Sequence, residues 1–349
     1  MASNQDQDIN PMMSAAMSAG LQPPYQVDTD GDVVLFTPKT PLIDISKGNV
    51  PGNYARFQVS SKHLALSSAY FKRMLKDRWA EGEALRTNGS AEIPVNDCKP
   101  DILLIILNLI HGQLRQVPLR LSLQQLSDIA VATDFFQCHE VVEVFAGIWI
   151  KDLWWPLSIP GWSPFSLSLE DMRTWLMISC VFKSPDVFEA TTRTAMRKGT
   201  GPFDTSYLPI PKSVKDAIDQ ARQKCIEKFE VMIKKHILNL LNGPICCSGK
   251  CDATQLGHLL SRMTKEKIFY SLDTACTSES DHVPSITVSI CELSPDFIYT
   301  MITEWEMDVP CRPASRCFNK ANPLGDEGEL RATQIYQELT GLEDLSLTS

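Results

Sequence analysis

Apolar and polar positions alternate from Arg56 to Ser60. Phe57 and Val59 fall on one side, and Arg56, Gln58 and Ser60 on the other, which is the period of a half-buried strand. Beyond Ser60 the period changes. Leu64, Ala65, Ser68, Phe71, Met74 and Leu75 recur at three- and four-residue spacing, an apolar helix face. A hydroxyl at Ser60 or Ser61 can accept from the free N–H groups of the first turn, and Ser67-Ser68 offers a second cap before Ala69-Tyr70-Phe71. The pattern predicts two short helices here rather than one long one.

The same reading organises the rest of the chain. Residues 32–36 pair with 54–60 as a hairpin, across a long insert with Pro38, Pro41, Gly48, Asn49, Pro51, Gly52 and Asn53. Three apolar helices follow at Asp101–His111, Leu121–Ala132 (capped by Ser122) and His139–Lys151. Leu153–Leu169 holds three prolines, a glycine and four serines and reads as a linker, whose Trp154, Trp155, Trp162 and Phe165 are expected to pack it onto the next helices. Helices are predicted at Leu169–Phe182, Pro185–Arg197, Pro211–Leu241, Asp252–Met263, Phe297–Trp305 and Glu329–Leu339, with a short strand at Ser285–Ile290. The fold class is therefore α+β. Residues 1–27 form a disordered tail, 28–152 a small sheet packed by helices, 153–169 a Pro/Trp-rich linker and 170–340 a mainly helical C-terminal region.

Bulk properties narrow the function. A chain of 349 residues is long enough for two domains, and 44% hydrophobic with 21% charged residues is ordinary for a globular protein. A formal charge of −9 with no basic run argues against nucleic acid as a partner. No Lys or Arg precedes Lys39, so an export signal is not expected. The uncharged stretch Ile102–Leu114 is too short to span a bilayer, so no membrane association is expected either. The 11 cysteines, an odd number, then read as mostly reduced thiols in a cytoplasmic or nuclear, intracellular compartment.

Searching for chemistry turns up little. Gly-x-Ser-x-Gly, His-Glu-x-x-His and Gly-x-Gly-x-x-Gly are absent from the sequence, and its six histidines are scattered. Gly243 to Lys250 has five residues between its glycines where a phosphate-binding loop needs four, and follows a helix instead of a strand. No catalytic residues are assigned and the chain is not expected to be an enzyme. An enzyme with its site in the C-terminal helices is the less favoured alternative. Cys98, Cys138, Cys180 and Cys225 read as small core residues. Cys247 and Cys251 are different, because they lie four apart in a Gly-containing loop, within the spacing of paired zinc ligands. Cys311 and Cys317 form a looser second pair, and buried reduced thiols are the alternative to a metal.

The order of these motifs resembles the BTB/POZ domain. That domain has a strand, a His-or-Ser residue and a helical hairpin reading Leu-x-x-x-Ser-x-x-Phe, matched here by Leu64, Ser68 and Phe71. Gly31-Asp32-Val33-Val34-Leu35 resembles its opening strand, and Ala91–Val95 followed by Asp101–Leu107 its third strand and following helix. Val59–Leu64 and Leu109-Ile110-His111-Gly112 resemble the filamentous-fungal BTB proteins in particular. The resemblance implies a protein-interaction module with protein partners, acting by self-association as a homodimer or by binding a cullin scaffold as a ubiquitin-ligase adaptor. In cullin-binding members a hydrophobic-x-Glu motif follows the helical hairpin, and Trp79-Ala80-Glu81 stands at that place after Phe71 and Met74. Trp79, Glu81, Phe71 and Met74 are thus the partner-binding candidates. The fungal proteins it resembles also carry Cys-Ser-x-x-Cys-Asp, matched by Cys247, Ser248, Cys251 and Asp252, and a later His-x-Cys. There Cys311 matches the Cys, but Val309 stands where the His would be. Cys247, Cys251 and Cys311 are accordingly the candidate ligands of a structural zinc, and a zinc-stabilised scaffold without cullin binding is the second functional reading.

Overall fold

The computed structural model describes residues 23–38, 54–76, 78–96, 98–154, 167–205, 207–242, 249–266, 268–273, 285–289, 293–304 and 325–342. The chain divides into two compact units, Met1–Trp162 and Ser163–Ser349.

In the first unit, four strands form one sheet: β1 (Tyr25–Gln26), β2 (Val33–Pro38), β3 (Tyr54–Val59) and β4 (Ala91–Pro94), in the order β1-β3-β2-β4. β2 and β3 pair antiparallel with Leu35 opposite Phe57 and Val33 opposite Val59. β4 joins the other side of β2 in parallel, placing Ile93 beside Leu35. The period of two puts Val33, Leu35, Val59 and Ile93 on one buried face. The alternation read from residues 56–60 is thus a buried strand edge to edge with its neighbours. β1 pairs in parallel with β3 inside the stretch expected to be a disordered tail, and Val27 donates to the Gln58 carbonyl at 3.0 Å. A two-residue strand carries too little periodicity to be seen in sequence, because its pairing is decided by β3.

The helices follow as α1 (Ser61–Ser67), α2 (Ala69–Met74), α3 (Ala80–Asn88), α4 (Pro100–Ile110), α5 (Leu123–Phe136) and α6 (His139–Trp154). The break between α1 and α2 falls at Ser68, as the caps predict. Ser68 accepts from the Phe71 N–H, whereas Ser60 makes no side-chain cap and Ser61 bonds Asp32 instead. A helix over Ala80–Asn88 was not expected. α5 begins after a capping box between Ser122 and Gln125 and runs on to Phe136, past the expected end at Ala132. α4 is the central helix: Ile102, Leu103, Ile106 and Leu107 are all buried, together with Leu126, Ile129 and Phe136 of α5 and Val142, Ala146 and Trp149 of α6. Trp149 buries its ring and satisfies its indole N–H on the Pro118 carbonyl at 2.8 Å.

The second unit is mainly helical: α7 (Leu169–Phe182), α8 (Pro185–Lys198), α9 (Lys212–Asn242), α10 (Gly249–Lys265), α11 (Pro295–Thr303) and α12 (Gly325–Gln337). The hairpin of β5 (Phe269–Asp273) and β6 (Ser285–Ser289) is antiparallel; only its second strand was expected. The 31-residue α9 buries one stripe, with Val214, Ile218, Cys225, Phe229, Ile233 and Ile237 inside. Tyr336 of α12 is stacked on Tyr299 of α11 with centroids 4.4 Å apart, and the Arg197 guanidinium of α8 lies 4.2 Å over its other side. Among the described residues no helix is long and apolar enough to cross a membrane.

Candidate docking groove

Two adjacent aromatic residues at the end of a helix cannot both face inward, because they are 100° apart around the axis. Phe135 and Phe136 close α5 in this way. Phe136 is buried and stacks on Phe71 of α2, centroids 5.3 Å apart and planes 14° from parallel. Phe135 points outward and is half exposed. Tyr70, next to Phe71 on α2, meets both rings, at 5.0 Å from Phe135 and 5.8 Å from Phe136. Burial raises the Tyr70 pKa, with the nearby Glu81 carboxylate a second contributor in the same direction. The phenol is therefore neutral across the physiological range and available as a hydrogen-bond donor.

These rings floor a groove between α2, the end of β4 and α5. Its volume is about 240 Å³, and its lining includes Tyr70, Phe71, Met74, Val95, Val131 and Phe135. Ser68 ties two of its walls together. The hydroxyl donates to the Phe136 carbonyl at 2.6 Å and accepts from the Phe71 N–H at 3.1 Å, tying the start of α2 to the end of α5. One wall continues into the turn that carries Trp79. There the Trp79 N–H donates to the Lys76 carbonyl at 3.0 Å, and the Trp79 carbonyl accepts from Glu83 at 2.9 Å. Gly82 lies one turn on, so close to that backbone that a Cβ would stand 2.2 Å from the Lys76 oxygen. The residue has to be glycine for α3 to start where it does.

The four partner-binding candidates are placed differently. Met74 is half-buried and lines the groove. Phe71 also borders it but is only 1% exposed, so its part is to support Tyr70 and Phe136 from below rather than to form a free contact surface. Glu81 is not part of the groove lining, and its carboxylate bears on the groove only through its charge, felt at Tyr70. Trp79 is 52% exposed, outside the groove lining, at the N-cap of α3. Tyr70, Val131 and Phe135 were missed by the sequence reading. The adjacent Phe135-Phe136 pair was the available signal.

Of the candidate zinc ligands, Cys251 is buried in the first turn of α10, while Cys247 and Cys311 lie outside the described residues. Cys98, Cys138, Cys180 and Cys225 are thiols, and burial pushes each up to about 12. Cys138, Cys180 and Cys225 are inert core groups at neutral pH, whereas Cys98 is only half-buried and borders the groove instead of the core.

Compared with known protein families, residues 50–152 match the model of the BTB/POZ domain. No curated protein matches the chain.

Proposed function

We propose, from the premise that residues 50–152 are a BTB/POZ domain, that this chain is a non-enzymatic adaptor whose α2–α5 groove docks the N-terminal region of a cullin-type scaffold. BTB/POZ domains are protein–protein interaction modules. The observation that carries the finer reading is the half-exposed Phe135 beside Tyr70 and Met74, with the Glu81 carboxylate near Tyr70. An aromatic and methionine surface of this kind fits the apolar centre of an interface, where a few buried anchors carry most of the energy. Glu81 at the edge adds orientation more than affinity. The C-terminal helical unit would then recognise whatever is brought to the scaffold.

The test is a binding titration of the full chain against a cullin N-terminal region, with Phe135→Ala, Met74→Ala, Trp79→Ala and Glu81→Ala. Phe135→Ala is expected to cost about 2 kcal/mol, roughly thirtyfold in affinity. Met74→Ala and Trp79→Ala should cost less, and Glu81→Ala should act mainly on the association rate. Failure of the wild type to bind, or wild-type binding by all four folded variants, rejects the groove as a cullin site.

A further inference from the structure

Three residues far apart in sequence meet at the C-terminal end of α4. Asp28 lies in the turn after β1, His63 on α1, and His111 at the C-cap of α4. One ligand atom from each lies within 4.8 Å of the other two. The His63 Nδ1 is 3.9 Å from the Asp28 Oδ2, and the two imidazole rings are 5.0 Å apart at a 45° tilt. We propose that Asp28, His63 and His111 form a binding site for a divalent first-row cation such as zinc.

The donor set suits such an ion. Neutral imidazoles and a carboxylate are borderline and hard donors that zinc and its neighbours accept, and three protein ligands leave a coordination position for water. The surroundings orient each ligand. The His111 Nδ1 is 2.8 Å from the Leu107 carbonyl oxygen, which can only accept, so Nδ1 carries the proton and Nε2 keeps its lone pair. A ligating histidine is commonly fixed in this way by a carbonyl on its far nitrogen. Asp28 Oδ1 accepts from the Asp30 N–H at 3.0 Å, which leaves Oδ2 toward His63.

The geometry also says what binding must change. Tetrahedral ligands at zinc distances stand about 3.4 Å apart, so the three atoms must close in slightly. The His63 side chain is 51% exposed, the most open of the three. The His111 Nε2 accepts from the Ser60 N–H at 3.0 Å, and an ion taking that lone pair displaces the bond. Ser60 is the residue ahead of α1, so the ion would replace a direct tie between α4 and the start of α1 with a bridge through the metal. The ion thus competes with the Ser60 N–H for the His111 lone pair.

The probe is cobalt(II), titrated into the full chain as a spectroscopic stand-in for zinc. The reading is the difference spectrum between the wild type and His63→Ala, which removes any signal from cysteine ligands elsewhere in the chain. One equivalent of cobalt should give a visible ligand-field band in that difference, without the near-ultraviolet band of thiolate ligation. Zinc should abolish the band, and Asp28→Asn should lose it as His63→Ala does. The Ser60 backbone amide resonance should shift on metal addition in the wild type alone. His63 is exposed, so circular dichroism can confirm that its variant stays folded. A null difference spectrum at millimolar cobalt, or a Ser60 amide that does not move while the band appears, overturns the proposal.

Discussion

Replacing Ser68 with alanine should loosen the docking groove more than any comparably small change at its rim. The residue is 1% exposed and its hydroxyl serves two backbone groups at once. As the N-cap of α2 it satisfies the Phe71 N–H, and losing such a cap costs about 1 kcal/mol. As a donor it satisfies the carbonyl of Phe136, the last residue of α5, which has no partner further along its own helix. Leaving a buried carbonyl unpaired costs about 1–3 kcal/mol. The two effects concern different groups and add to about 2–4 kcal/mol, a large share of a domain's stability. Because the chain has two compact units, one global midpoint would mix them. Hydrogen exchange read on peptides from α2 and the end of α5 isolates the effect. Protection there should fall roughly 30- to 700-fold. Ser67→Ala is the control, since Ser67 precedes the cap position, and it should stay within about 0.5 kcal/mol of wild type. If Ser68→Ala loses no more protection than Ser67→Ala, the double role assigned to this hydroxyl is wrong.

Further outcomes follow from the same geometry. Thiolate is the reactive form of cysteine, so thiols pushed up to about 12 should resist alkylation at pH 8, and accessible Cys98 should react about tenfold faster for each pH unit gained below its pKa. The cause at Cys98 is burial first and then Asp101 and Asp128, so the trend holds until the fold opens; mass-spectrometric labelling of buried Cys138 at a free-thiol rate in folded protein would contradict it. Gly341 has φ of 102° and leaves room for no Cβ, which would stand 2.4 Å from the Glu189 carbonyl oxygen. Gly341→Ala should cost about 1–3 kcal/mol and release the segment held by Arg193 on the Thr340 carbonyl at 2.6 Å and by the Leu342 N–H on Thr192 at 2.9 Å. Limited proteolysis should then cut near residue 340 ahead of wild type, and an unchanged pattern would show that those contacts do not depend on the glycine.

What was legible in the sequence was local. The change of period after Ser60, the cap at Ser68, the cap at Ser122 and the buried faces of α4 and α9 each depend on residues within a few positions of one another, so the linear order carries them. Ordered motifs over the first unit were enough to indicate the BTB/POZ domain that residues 50–152 match. The end of α5 was misplaced because Thr133 and Asp134 interrupt the apolar pattern, and with the boundary at Ala132 the outward turn of Phe135 was invisible. Tertiary structure alone decided the rest. Strand β1 exists only because β3 offers it a hydrogen-bonding edge. The groove depends on α2 and α5 meeting, which Ser68 secures by a bond to the Phe136 carbonyl 68 residues further along the chain. Asp28, His63 and His111 converge for the same reason: the sheet and α4 fix the distances between three elements that share no local pattern. Hydrophobic periodicity tells a segment which face to bury, but which polar groups meet across the core depends on contacts whose sequence separation no local pattern encodes.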